Sequence, residues 1–105
     1  MLGVLTKYLY DKKGGHRHII LDSIDDKHVS IGLTSKNNKG KGSTNYACET
    51  DILGTGKKSY MRRQATVKPK KKYSDPIIKF MSKKDYTRAL VYGNRAKEKY
   101  INKKK

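Results

Sequence analysis

The chain has 105 residues, 26 Lys and Arg against 9 Asp and Glu, a formal net charge of +17, and only 34% hydrophobic residues. One small domain spanning 1–105 fits that length; the charge content excludes a large core, while 8 Tyr and several aliphatic runs exclude full disorder. No run approaches the roughly 18 apolar residues of a membrane span and residues 1–7 are too short for a secretory signal, so a cytoplasmic protein without a membrane partner is expected. Cys48 is the single cysteine and makes no internal disulfide, so no metal and no cofactor are expected.

In chain order, residues 2–10 are apolar enough for a strand or a short helix, and periodicity does not separate the two. Residues 11–15, ending in Gly14-Gly15, form a turn. Residues 16–24 are rich in β-branched side chains. After a tight turn at 25–27, Val29, Ile31 and Leu33 alternate with His28, Ser30, Gly32 and Thr34, so the two segments pair as a hairpin of half-buried strands.

Residues 35–45 carry no apolar side chain, which predicts a flexible basic loop over 36–45. Residues 46–53 form a short strand and residues 59–67 another, stopped by the Lys68–Lys72 stretch with its Pro69. A further short strand covers 77–81. Ser82 and Asp85 resemble a capping box opening a closing helix, whose apolar face takes Tyr86, Ala89, Leu90, Gly93, Ala96, Tyr100 and Ile101. Gly93 weakens that helix, and residues 102–105 form a frayed Lys tail. The expected class is mainly β (α+β).

The charge is unevenly placed. Residues 1–35 hold 5 basic and 4 acidic side chains, a net of +1, which leaves 21 basic and 5 acidic, a net of +16, for residues 36–105. A surface so self-repelling points to a polyanion partner. Nucleic acid fits better than a membrane, because a basic amphipathic helix with large apolar residues is missing. Lys36, Lys39 and Lys41 lie on the basic loop, and Lys57, Lys58, Arg62 and Arg63 surround Tyr60. Cations beside a ring suit single-stranded nucleic acid, through phosphate neutralisation and base stacking.

Two familiar chemistries are disfavoured. Residues 54–59 resemble a fragment of a phosphate-binding loop but lack its first glycine. Asp22, Asp25 and Asp26 crowd a turn rather than pairing to hold metals. His16-Arg17-His18 is more suggestive, because two proton-transfer groups flank a fixed cation, the set needed for metal-free attack of a ribose 2′-hydroxyl on its phosphate.

The order Gly-Gly-His-Arg-His-Ile-Ile-Leu, turn, Val-Ser-Ile-Gly-Leu-Thr-Ser-Lys, basic loop, Ser-Tyr-Met-Arg-Arg-Gln-Ala-Thr-Val resembles the MazF/PemK/Kid toxin endoribonucleases over residues 14–68. Arg17 matches that family's catalytic arginine and Thr34 its catalytic threonine, with Ser35 beside it. The family's Arg-Pro is Arg17-His18 here, and its first strand with a Trp is not recognisable in residues 1–10. The resemblance implies a small SH3-like barrel with a C-terminal helix, a homodimer, metal-free cleavage of single-stranded RNA, and an acidic antitoxin partner. His16 or His18 would assist proton transfer. The competing expectations are a non-catalytic nucleic-acid-binding protein, such as an accessory factor of a phage, plasmid or other mobile element, and a protein that occupies an acidic surface of another protein.

Overall fold

A computed structural model describes residues 3–34, 45–49, 52, 56 and 58–104. Among them the chain is mainly β, with one helix at its C-terminal end. The strands are β1 (Val4–Asp11), β2 (His16–Ile24), β3 (Lys27–Thr34), β4 (Tyr46–Ala47), β5 (Tyr60–Met61), β6 (Thr66–Pro69) and β7 (Tyr73–Met81). A 3-10 turn at Lys70–Lys72 precedes β7, and the helix α1 covers Lys83–Lys104. All pairings are antiparallel, in the order β4-β5-β3-β2-β1-β7 with β6 alongside β3. A meander whose last strand returns to β1 after a 3-10 turn is the small-barrel arrangement expected, and the strand-or-helix alternative left open for residues 2–10 is decided as strand from Val4 onward. The sheet curls enough for Ser30 of β3 to meet Tyr73 of β7, their oxygens 2.9 Å apart.

The hairpin follows its sequence pattern. The β2–β3 register sets Ile19 against Ile31 and His18 against Gly32, and Asp25 takes the turn with φ of 54°, a left-handed conformation that Asp tolerates. Tyr8, Ile19, Ile31, Leu33 and Met61 are buried on one face, and α1 covers it with Ala89 and Tyr92. Each fully buried aliphatic side chain contributes about 1.5–3 kcal/mol. Gly93 has a packing reason to interrupt helix propensity: a Cβ there would lie 2.6 Å from Leu21 Cδ1, so its absence lets α1 settle against β2.

Ser82 caps the helix, its Oγ accepting from the Asp85 backbone N–H at 3.1 Å. The reciprocal half of the box is diverted, because the Asp85 carboxylate accepts from the Glu49 backbone N–H at 2.8 Å and ties that segment to the helix. Cys48 is buried nearby, and burial pushes its thiol up to about 12, which leaves it inert. α1 runs on through Asn102–Lys104.

The single strand predicted over 59–67 is two. Met61 faces Leu33 and Thr66 faces Ser30, so three steps along β3 are matched by five along its partner. The surplus bulges out as a bend at Arg62, Arg63 and Gln64, between β5 and β6. The strand predicted over 46–53 shortens to Tyr46–Ala47, and β7 extends further back than 77–81, to Tyr73. Pro76 is tolerated because β7 is an edge strand and its register against β1 breaks between Tyr8 and Tyr10.

Candidate functional site

The face of β1–β3 opposite the apolar core is polar. Strand alternation brings Asp11, His16 and His18 onto it with Ser30, Gly32 and Thr66. His18 is buried, with Nδ1 3.0 Å from Ser30 Oγ and Nε2 3.7 Å from Asp11 Oδ2. Ser30 is fully buried and also meets the Tyr73 hydroxyl. Tyr73 packs edge-on against both His18 and His28, with ring centres 5.5 Å apart in each case. One proton arrangement satisfies the chain: Tyr73 donates to Ser30, Ser30 donates to His18 Nδ1, and the Nε2–H faces Asp11.

Asp11 is placed by the turn it makes. Its Oδ1 accepts from the backbone N–H groups of Gly14 at 3.0 Å and Lys13 at 3.1 Å, which leaves Oδ2 facing His18 and, at 3.5 Å, Lys68 Nζ. Donation from Gly14 above all, with Lys13 and the Lys68 charge, holds the carboxyl below the usual range. Burial lowers His18 as well, down to about 4, with Lys68 and Arg62 adding to the effect and Asp11 opposing it, so the same direction that keeps Asp11 charged keeps the imidazole neutral. At neutral pH the floor therefore holds an ionised Asp11 and a neutral His18.

Above this floor opens a cleft of about 730 Å³, lined by Asp11, His16 and His18 from the first two strands, Gly32 and Thr66, Asn45, and Arg62, Arg63, Gln64 and Lys68. The bend between β5 and β6 supplies the two arginines. Arg62 is anchored through its backbone N–H to the Gly32 carbonyl at 3.1 Å. A Cβ at position 32 would stand 3.4 Å from both Arg62 Cδ and His18 Nε2, so the missing side chain leaves Arg62 room to lie across β3 towards the imidazole. Arg63 Cζ sits 6.0 Å from the Tyr46 ring centre, and its Nη1 donates to the Tyr92 hydroxyl at 3.3 Å. The lining thus sets three cations and His16 against one carboxylate that is already engaged.

His16, His18, Arg62 and Arg63 come together in this cleft; Arg17 does not. Arg17 points to the other side of β2, where its guanidinium donates to the Asp75 carbonyl and, at 2.8 Å, to Asp75 Oδ2, and lies 5.6 Å from the Tyr10 ring centre. Asp75 is delivered there by the register break in β7, with φ of 54°. Thr34 ends β3 opposite Tyr60 of β5, and Lys58 is exposed just before that strand. Ser35, Lys36, Lys39, Lys41 and Lys57 lie outside the described residues. Lys68, Gln64 and Asn45 line the cleft without having been singled out from sequence. Lys68 belongs to a Lys-rich run that reads as generic solvated charge, and only the β3–β6 register aims it at Asp11.

No helix among the described residues is long and apolar enough to cross a membrane, and no three His, Cys, Asp or Glu side chains among them gather as metal ligands. No family model, no curated protein and no solved structure matches the chain.

Proposed function

We propose that the protein binds single-stranded nucleic acid, RNA foremost, by gripping its sugar–phosphate backbone in the cleft over β3. The observation that supports this reading is the lining: Arg62, Arg63 and Lys68 face a space in which the one carboxylate among the described lining residues, Asp11, is buried and engaged. Two guanidinium forks and an ammonium match phosphate oxygens in number and geometry. Gln64, Asn45 and Thr66 add neutral polar groups suited to ribose and base edges, and Tyr46 offers a ring beside Arg63. The test is retention of an unstructured RNA oligomer by the purified protein in EDTA across a salt series. With three phosphates engaged, the log–log salt slope is expected near −2, from about 0.7 per phosphate on a single strand. No retention at low salt overturns the reading.

A second reading, metal-free RNA cleavage of the MazF/PemK kind, is favoured by one observation: His16 shares the cleft with Arg62 and Lys68, an imidazole beside fixed cations. In it His16 accepts the 2′-hydroxyl proton as that oxygen bonds phosphorus, Arg62 and Lys68 stabilise the phosphorane, and the P–O5′ bond breaks as the 5′-oxygen takes a proton back from His16 or from water. An acidic antitoxin segment is then a natural antagonist, since it competes for the same cations. New RNA ends bearing 2′,3′-cyclic phosphate, absent with His16→Ala, support it; intact RNA after long incubation overturns it.

A further inference from the structure

A second groove, of about 770 Å³, opens on the far side of the Arg62–Gln64 bend, between β6 and α1. Arg63 and Gln64 line both spaces, so the two meet at the bend. The groove has two parts of different chemistry. Its floor is aliphatic, from Ala65 and Val67 on the strand side and Ala96 on the helix, flanked by the rings of Tyr92 and Tyr100. Its rim is cationic: Arg95, Lys99 and Lys103 follow one another every fourth residue and so stand in a row along α1, about 6 Å apart at 1.5 Å rise per residue. Among the described residues, no carboxylate lines it. Asp22 engages Lys97 at 2.6 Å and Asp25 accepts from the Tyr100 hydroxyl at 2.9 Å, while the helix's own Glu98, exposed just before Lys99, does not line the groove. The second contact also fixes the Tyr100 ring, which Lys27 Nζ faces at 5.7 Å.

We infer that this groove is a second subsite for the same strand, taking the nucleotides next to those held in the cleft. Their phosphates meet Arg95, Lys99 and Lys103, and their bases pack on the aliphatic floor and the tyrosine rings. Arg63, already bridging to Tyr92 at 3.3 Å, marks where the strand crosses the bend. A bare polyanion would be served by the rim alone; the apolar floor beneath it is what selects a ligand whose charges alternate with flat, weakly polar groups. The inference rests on the cleft binding single-stranded nucleic acid.

The test compares RNA oligomers of about 4 and about 16 nucleotides, spanning the site sizes of small barrels, by fluorescence anisotropy on the full chain. Arg95→Glu/Lys99→Glu alters two exposed helix side chains, and Arg62→Glu alters the cleft. The helix pair is expected to weaken the long oligomer roughly tenfold and lower its salt slope by about 1.4, while leaving the short one within about twofold. Arg62→Glu is expected to weaken both. A long oligomer stripped of its bases should bind the wild type several-fold more weakly than the intact one. If the helix pair leaves the long oligomer unchanged while Arg62→Glu weakens it, the second subsite is overturned and the cleft stands. If wild-type protein binds neither oligomer, the reading beneath it is the one that fails. Equal binding of the base-free oligomer, or of a polyglutamate peptide of matched charge, overturns the base-packing floor in favour of a simple acidic ligand.

Discussion

The two faces of strands β1–β3 are made from alternate residues of the same segments and obey different physics. On one, Tyr8, Ile19 and Ile31 meet as successive cross-strand neighbours under α1, and burial of apolar surface holds them. On the other, Asp11, His18, Ser30 and Tyr73 form a polar chain that tolerates burial only because each group has a partner. The apolar face supplies stability and no chemistry. The polar face costs desolvation, and what it returns is a fixed floor on which Arg62 and Lys68 can be aimed.

The largest effect should come from the apolar face. Ile31→Ala removes a fully buried side chain and is expected to lower unfolding free energy by about 2–5 kcal/mol, read as a lower urea midpoint at unchanged slope. A loss below about 1 kcal/mol would mean that this face is not the main source of stability.

Next comes pH. His18 titrates at about 4 when folded, below the usual histidine value of 6.5, so between those pH values the unfolded chain binds the proton that the folded chain refuses. Stability from this group is complete above pH 6.5 and falls as the pH drops towards 4, by about 3 kcal/mol in all. Asp11, held below the carboxylate norm, adds its own loss only further into acid. Urea unfolding at pH 7 and pH 4.5 measures the difference, and His18→Gln should flatten most of it. An unchanged pH profile in that variant would place the acid sensitivity elsewhere.

Ser30→Ala sharpens the comparison at a single atom. It strips His18 Nδ1 and the Tyr73 hydroxyl of a shared buried partner and is expected to cost about 1–3 kcal/mol, more than deleting a hydroxyl from the surface. A neutral result would mean that water or a new contact satisfies both groups. The smallest effect belongs to Arg17→Ala, whose partner Asp75 is largely exposed: under about 1 kcal/mol in stability, and RNA retention within about twofold of wild type. A loss of retention above tenfold would move the binding surface to the other face of β2.

Much of this was legible in the residue pattern. The period-two alternation of residues 28–34 against the β-branched run before it specified the hairpin and its buried face. The same period places His16 and His18 on one side of β2 and Arg17 on the other, which the sequence motif, taken as a triplet, conceals. The bend carrying Arg62 and Arg63 was not legible, because every residue from 59 to 67 is acceptable in a strand and the surplus appears only when the chain is counted against β3. Arg95, Lys99 and Lys103 are evenly spaced in sequence, yet nothing local says that Val67 and Ala65 stand across from them. Longer-range register decided both.

As proposed above, the polar face holds a nucleic-acid backbone through cations aimed by β3 and the bend beside it. The most direct measurement is the salt dependence of RNA affinity for the wild type and for Arg62→Ala/Lys68→Ala, with folding of the variant checked by urea unfolding. Loss of two phosphate contacts predicts a log–log slope shallower by about 1.4, with weaker binding at every salt concentration. An unchanged slope and affinity in a folded variant would contradict it.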